Sequence, residues 1–205
     1  HPKNPNVPTS HMNIRLFCIL DKKNNINEWW SGGGYDLTPF LPYKRDCKKW
    51  HKDAKTFLDG YNKTFYKRFS KNCNEYFYIP HRNERRGIGG IFFDNFKQLS
   101  LQKTLLLLSD TASQYKNSYI TLAKLRRQKK YTKSQKDFQL LRRGRYAEFN
   151  LVYDRGTAFG LQSNGRIESI LASLPSDVKW SYRKTKEHAA MENRLLKFID
   201  ADWNV

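Results

Sequence analysis

Several things this chain lacks set the first limits on it. No apolar run approaches the roughly 20 residues a membrane-spanning helix needs; Leu105-Leu106-Leu107-Leu108 is four residues. The three cysteines, Cys18, Cys47 and Cys73, are odd in number and far apart, with neither metal-knuckle spacing nor a disulfide framework, as suits free thiols in a reducing compartment. No His-x-x-x-His pair marks a local metal site, and no nucleophile elbow marks covalent catalysis. Gly32-Gly33-Gly34 and Gly87-Ile88-Gly89-Gly90 lack the Lys-Ser/Thr of a phosphate loop, so nucleotide binding is disfavoured. Acidic residues are scarce, 19 against 38 lysines and arginines in 205 residues, giving a formal net charge of +19. That balance favours an anionic partner. The initiating methionine is missing too. The opening His1-Pro2-Lys3-Asn4-Pro5 reads as mid-protein sequence, and the expectation is a fragment.

What is present is aromatic, at 15% of residues, and periodic. Val7–Leu20 alternates, with His11, Asn13 and Arg15 on one face and Met12, Ile14 and Leu16 on the other, which predicts a strand. Its polar face does not carry the Lys, Glu and Thr of an ordinary solvent face. Glu28-Trp29-Trp30 begins a hairpin partner that breaks at Ser31–Gly34 and continues as Tyr35–Pro39. Lys44–Asn74 has helical spacing, interrupted at Gly60. Glu75–Ile79 and Gly87–Asp94 read as short strands, Leu99–Arg127 as a long helix, Arg126–Lys136 as a basic connector, and Lys186–Ile199 as a closing helix. Between the last two helices, Arg142–Asp154 alternates polar with apolar residues and is read as a strand. Ala158–Gln162, Ile167–Leu174 and Val178–Tyr182 are read as further strands. The class this predicts is α+β, a mainly antiparallel sheet with helices between its strands, in one domain over residues 1–205.

The chemistry concentrates in His81-Arg82-Asn83-Glu84-Arg85-Arg86-Gly87-Ile88-Gly89-Gly90-Ile91-Phe92-Phe93-Asp94. There a cationic stretch runs into a strand loosened by glycine, where a ligand can approach the backbone. With Arg15 and Arg166 and the aromatics Trp29, Trp30 and Phe92, it suits a large ring-shaped ligand bearing carboxylates. Asp36 follows three glycines; it either sits at a cavity mouth or caps its own turn. Glu148 and Asp154 either serve the site or pair with Arg142 and Arg145. A solvated basic surface, or a basic nucleic-acid-binding module with exposed aromatics, would also fit the charge.

The motifs then resemble those of the oxygen-dependent coproporphyrinogen III oxidase family. The resemblance is carried by Asn4–Arg15 (Asn-Pro-Asn-Val-Pro-Thr-Ser-His-Met-Asn-Ile-Arg) and by Trp29–Pro39 (Trp-Trp-Ser-Gly-Gly-Gly-Tyr-Asp-Leu-Thr-Pro). It is carried also by His81–Asp94, by Leu141–Tyr146, by Glu148–Thr157 with its Tyr-Asp-Arg-Gly-Thr, and by Phe159–Leu161 with Gly165–Leu171. It covers nearly the whole chain, in family order, and implies the family's fold, a large, mainly antiparallel β-sheet flanked by helices on both sides. It implies oxidative decarboxylation of two propionates of coproporphyrinogen III to vinyl groups, giving protoporphyrinogen IX in heme biosynthesis. Dioxygen would be the co-substrate and no cofactor would be required for the redox chemistry, although a divalent metal would be possible. It implies His11 as proton donor and Asp36 as the carboxylate that holds the pyrrole N–H groups. Substrate contacts would come from Asn13, Ile14, Arg15, Asn164, Gly165 and Arg166, and metal ligands from His1, His11, His51 and His81. It further implies a homodimer through about residues 146–181, no nucleic-acid partner, no stable membrane insertion and, from the bacterial wording of the first block, a cytoplasmic location. The chain would be the C-terminal two-thirds of the family's domain. Two departures stand out: Ser31 occupies a place where an aromatic is usual, and Asp94-Asn95 replaces a pair of aspartates. A non-catalytic porphyrinogen-binding or dimerisation remnant is the alternative within the same resemblance.

Overall fold

The computed structural model describes residues 1–203. Strand β1 (Thr9–Leu20) and strand β2 (Ile26–Thr38) form a long antiparallel hairpin, in which His11 lies opposite Asp36, Asn13 opposite Gly34 and Arg15 opposite Gly32. β2 does not break at its glycines. It runs through them and pairs on its far side with β5 (Gly89–Phe96), in the sheet order β1-β2-β5. The glycines instead let β5 come close: a Cβ on Gly34, whose φ is +148°, would stand 2.1 Å from the Ile91 carbonyl oxygen, and one on Gly90 would stand 2.1 Å from that of Tyr35. No larger residue permits that approach without moving the backbone. Two short strands, β3 (Tyr78–Ile79) and β4 (Glu84–Arg85), pair around the 3-10 turn Pro80–Arg82.

Alternation gives the sheet two unlike faces. Met12, Ile14, Leu16, Tyr35, Leu37, Ile91 and Phe93 point into the main core. They meet α1 (Lys44–Leu58) through Trp50 and Ala54, α2 (Phe65–Tyr76) through Phe65 and Phe69, and α3 (Leu101–Arg126) through Leu107 and Leu122. α1 and α2 are separated at Gly60, as the spacing predicts. α3 starts where the Ser100 hydroxyl accepts a hydrogen bond from the Lys103 N–H. The Arg126 guanidinium grips both carboxylate oxygens of Asp46, at 2.7 and 2.8 Å, and pins the end of α3 to the start of α1.

The C-terminal third corrects the sequence reading. Residues 142–154 are not a strand: 142–152 form the second half of α4 (Lys133–Val152), which opens on a capping box between Thr132 and Gln135, and Tyr153 and Asp154 join it to the next helix. Ala158–Gln162 belongs to α5 (Arg155–Gln162), Ile167–Ile170 forms α6, and 178–182 is irregular. The antiparallel α+β class stands, but the expected large sheet has three strands among the described residues, because the segments that would have widened it are helical or irregular. α7 (Lys186–Ile199) closes the chain where its pattern predicts. Helices therefore occupy both faces: α1–α3 on the core side, and α4 with α5 over part of the other.

Candidate active site

On the second face His11, Asn13, Arg15 and Phe17 of β1 line a cavity of about 450 Å³ with Gly33 and Gly34 of β2 and Phe92 and Asp94 of β5. Tyr76 and Phe77 from the end of α2 wall one side. Asp154, Arg155, Gly156 and Phe159, from the junction of α4 and α5, wall another. The glycines make the floor flat, and the rings of Tyr76 and Phe92 stack 4.3 Å apart beside it. This is the mixture of apolar wall and few aimed polar groups that small-molecule sites use.

Two charged clusters bound this space. In the first, Asp36 is 1% exposed and reaches the cavity only through His11, whose Nδ1–H donates to Asp36 Oδ1 at 3.2 Å. The same Oδ1 accepts from Arg86 Nη2 at 2.8 Å. Burial alone would raise the pKa of Asp36, but the Arg86 charge and the His11 bond outweigh it and hold the carboxyl below the usual carboxylate range. An ionised Asp36 fixes the His11 tautomer and leaves Nε2 as the nitrogen for a substrate. In the second cluster, Asp94 bridges two arginines: Arg15 Nη2 donates to Oδ1 at 2.7 Å and Arg155 Nη2 to Oδ2 at 3.4 Å. Asn13 orients Arg15 by accepting from Nη1 at 2.8 Å, and the Arg155 guanidinium lies over the Tyr76 ring at 4.9 Å. Asp154 caps α5, accepting from the Thr157 N–H and hydroxyl, while its other oxygen accepts from Tyr76 Oη at 2.8 Å. That cap sets the first turn of α5, and Arg155, against the cavity.

The structure thus brings His11, Asn13 and Arg15 together on one wall, with Asp36 behind His11. Ile14 turns its side chain into the core and offers the site only backbone. Asn164, Gly165 and Arg166 form the turn between α5 and α6, outside the cavity lining; Arg166 is exposed and pairs with Glu168 at 3.5 Å. Ser31, where an aromatic is usual, is fully buried and donates to the Phe96 carbonyl at 3.1 Å, so it ties β2 to β5. The sequence left Asp154 open between the site and a pair with Arg142 or Arg145, and it did not single out Arg155 as a site residue, although the N-cap pattern Asp-x-x-Thr was the available signal.

The four histidines do not gather. His1 touches Ser173 and the edge of Tyr146; His11 is bound to Asp36; His81 meets Glu148 at 3.1 Å and Tyr153 at 2.9 Å. His51 is buried, its Nε2 donating to the Ile88 carbonyl at 3.0 Å and its Nδ1 bonded to Tyr66 at 3.1 Å. Among the described residues no group of three or more His, Cys, Asp and Glu side chains could hold a metal ion. The expected ligand set does not fit a metal, and no step of the chemistry is assigned to one. A larger hollow of about 720 Å³ lies elsewhere, beside His51 and Trp203. Its walls interleave Lys67, Lys71 and Arg85 with Glu75, Asp200 and Asp202, which gives no single-sign field for a polyanion. Among the described residues no helix is long and apolar enough to cross a membrane.

Comparison with known proteins agrees with the motif pattern. A family model described as coproporphyrinogen III oxidase matches residues 1–204. An oxygen-dependent coproporphyrinogen-III oxidase of Francisella tularensis subsp. holarctica (strain OSU18) is 48% identical over 205 residues, covering 99% of this chain and 66% of that protein. Relatives with the same name from Francisella tularensis subsp. novicida (strain U112) and from Francisella philomiragia are 47% identical with the same coverage. The chain spans 66% of the length of these curated relatives.

Proposed function

The chain belongs to the coproporphyrinogen III oxidase family, and from that premise we propose that the cavity on the second sheet face carries out the oxygen-dependent decarboxylation of coproporphyrinogen III to protoporphyrinogen IX. For each propionate converted, the side-chain carbon next to the pyrrole loses a hydride equivalent, which passes to dioxygen and with a proton yields hydrogen peroxide. The bond to the carboxylate breaks, its electron pair becomes the vinyl double bond, and carbon dioxide leaves. Atoms and electrons balance with dioxygen as the oxidant.

One observation carries this reading. An imidazole backed by a buried carboxylate and a carboxylate-gripping arginine pair share a single aromatic-walled cavity. A pyrrole N–H can only donate. His11 Nε2, backed by Asp36 through Nδ1, is placed in the cavity to accept from it. Drawing that proton off makes the ring electron-rich enough to react with dioxygen. Asp94 stands between Arg15 and Arg155 as a substrate carboxylate would. Incoming propionates compete for those guanidiniums and are thereby held in register with His11. Leu151, Val152, Ile167 and Trp180, all more than half exposed on the α4–α6 side, support a second copy as the partner that covers this region.

The test is a reaction of the protein with coproporphyrinogen III in air and under argon, followed by product chromatography and carbon dioxide measurement. Vinyl product with two carbon dioxides per macrocycle, in air only, is expected. No conversion in air, or equal conversion under argon, overturns the reading.

A further inference from the structure

We infer that Arg86 is a positioning residue for the reaction: it is held rigid by aromatic faces and by Asn150 so that Asp36 presents one fixed oxygen to His11. The inference rests on the function proposed above and adds a residue that lies outside the cavity lining. Arg86 sits in the loop between β4 and β5 with its side chain 2% exposed. Its guanidinium lies 3.9 Å from the ring centre of Phe77, 4.3 Å from that of Tyr146 and 4.9 Å from that of Phe149. Nη2 donates to Asp36 Oδ1 and Nη1 to Asn150 Oδ1, both at 2.8 Å. Nε has no partner among the described residues. Asn150 in turn donates to Ser173 Oγ at 3.1 Å. A line of bonds therefore runs from His11 through Asp36, Arg86 and Asn150 to the segment after α6.

The geometry exceeds what neutralising a buried acid requires. A lysine would supply the charge, but it cannot bond Asp36 and Asn150 at once in one plane while filling an aromatic slot. The titratable groups around Asp36 are Arg86, His11 from β1, Cys73 from α2, Tyr115 from α3 and Tyr146 from α4. Burial keeps the thiol and both phenols protonated at neutral pH, which leaves Arg86 as the fixed charge against Asp36.

Two measurements test this on the same proteins. In steady-state assays, Arg86→Lys and Asn150→Ala should lower kcat by about ten- to a hundredfold while KM stays within about twofold, as expected when a reacting group is misaligned and substrate binding is intact. In carbon-13 titration of labelled aspartate, Arg86→Gln should move the Asp36 carboxyl to a higher midpoint, and Arg86→Lys should move it less. A purely structural role predicts lower melting temperatures, with kcat per folded protein and the Asp36 midpoint unchanged; that result overturns the inference. If the unmodified protein does not convert coproporphyrinogen III, the functional reading fails, while the carboxyl titration still decides whether Arg86 sets Asp36. Should Arg86→Gln not fold, the Asp36 midpoint in Asn150→Ala decides in its place: raised supports the inference, unchanged overturns it.

Discussion

His51 shows how a single side chain can look like a ligand in sequence and be something else in the fold. It lies within the helical spacing of α1, and the helix turns it inward, where the Ile88 carbonyl fixes the proton on Nε2 and Tyr66 bonds Nδ1. Burial, partly offset by the Ile88 bond, lowers its pKa from 6.5 to about 4. The unfolded chain therefore binds a proton that the folded chain refuses, and the stability His51 contributes is lost as pH falls from about 6.5 towards 4. Urea unfolding of His51→Gln should show a shallower loss of stability across that window than the parent protein; equal slopes would contradict the assignment. Glu148 works at lower pH. Although burial pushes its pKa up, bonds from Arg82 and His81 and the nearby Arg145 bring it from 4.5 down to about 2. Its contribution is present above about pH 4.5 and disappears as pH falls towards 2. Glu148→Gln should be less stable at neutral pH and flatter in the acid range. Arg15 belongs to the cavity instead. Arg15→Gln should raise KM by roughly ten- to a hundredfold, the worth of a charge-assisted contact with a carboxylate, and change kcat less.

At the scale of elements, legibility followed the kind of residue that each element buries. β5, α1, α2 and α7 bury mainly apolar side chains, β1 turns Met12, Ile14 and Leu16 onto the core, and their periods are plain in sequence. α4 is different. Its inward positions include Gln139, Arg142, Arg143 and Asn150 beside Phe138, Tyr146, Ala147 and Phe149. Each buried polar group has a particular partner: Arg142 bonds Glu84 and Glu192, Arg143 and Gln139 bond the Pro2 carbonyl, and Asn150 bonds Arg86. A pattern that counts only apolar residues reads those positions as outward and finds a false alternation. The partners lie 50 or more residues away for Arg142, so nothing local could have corrected it. The glycines of β2 were legible as special but misread as a break. They serve close strand approach, and Gly34→Ala should cost at least about 3 kcal/mol in urea unfolding, since a Cβ would meet the Ile91 carbonyl in a conformation that favours glycine.

For the molecule as a whole, motif order pointed to the family, and the alternation of β1 placed His11, Asn13 and Arg15 on one face. What no local pattern could show is that Asp36 reaches the cavity through His11, and that Arg155, far along the chain, faces Arg15 across Asp94. The α4–α6 side leaves Val152 63% and Ile167 60% exposed, which is the basis for proposing a second copy there. Ile167→Glu should shift the molecular mass seen by light scattering towards the monomer, and an unchanged mass would put the interface elsewhere. The proposed chemistry depends throughout on the ionised carboxylate behind His11. Its most direct test is the aerobic turnover of coproporphyrinogen III by Asp36→Asn, which keeps the shape and removes the charge, with folding checked by circular dichroism. A fall in kcat of at least about a hundredfold in a folded protein is predicted, whereas near-normal turnover would contradict that dependence.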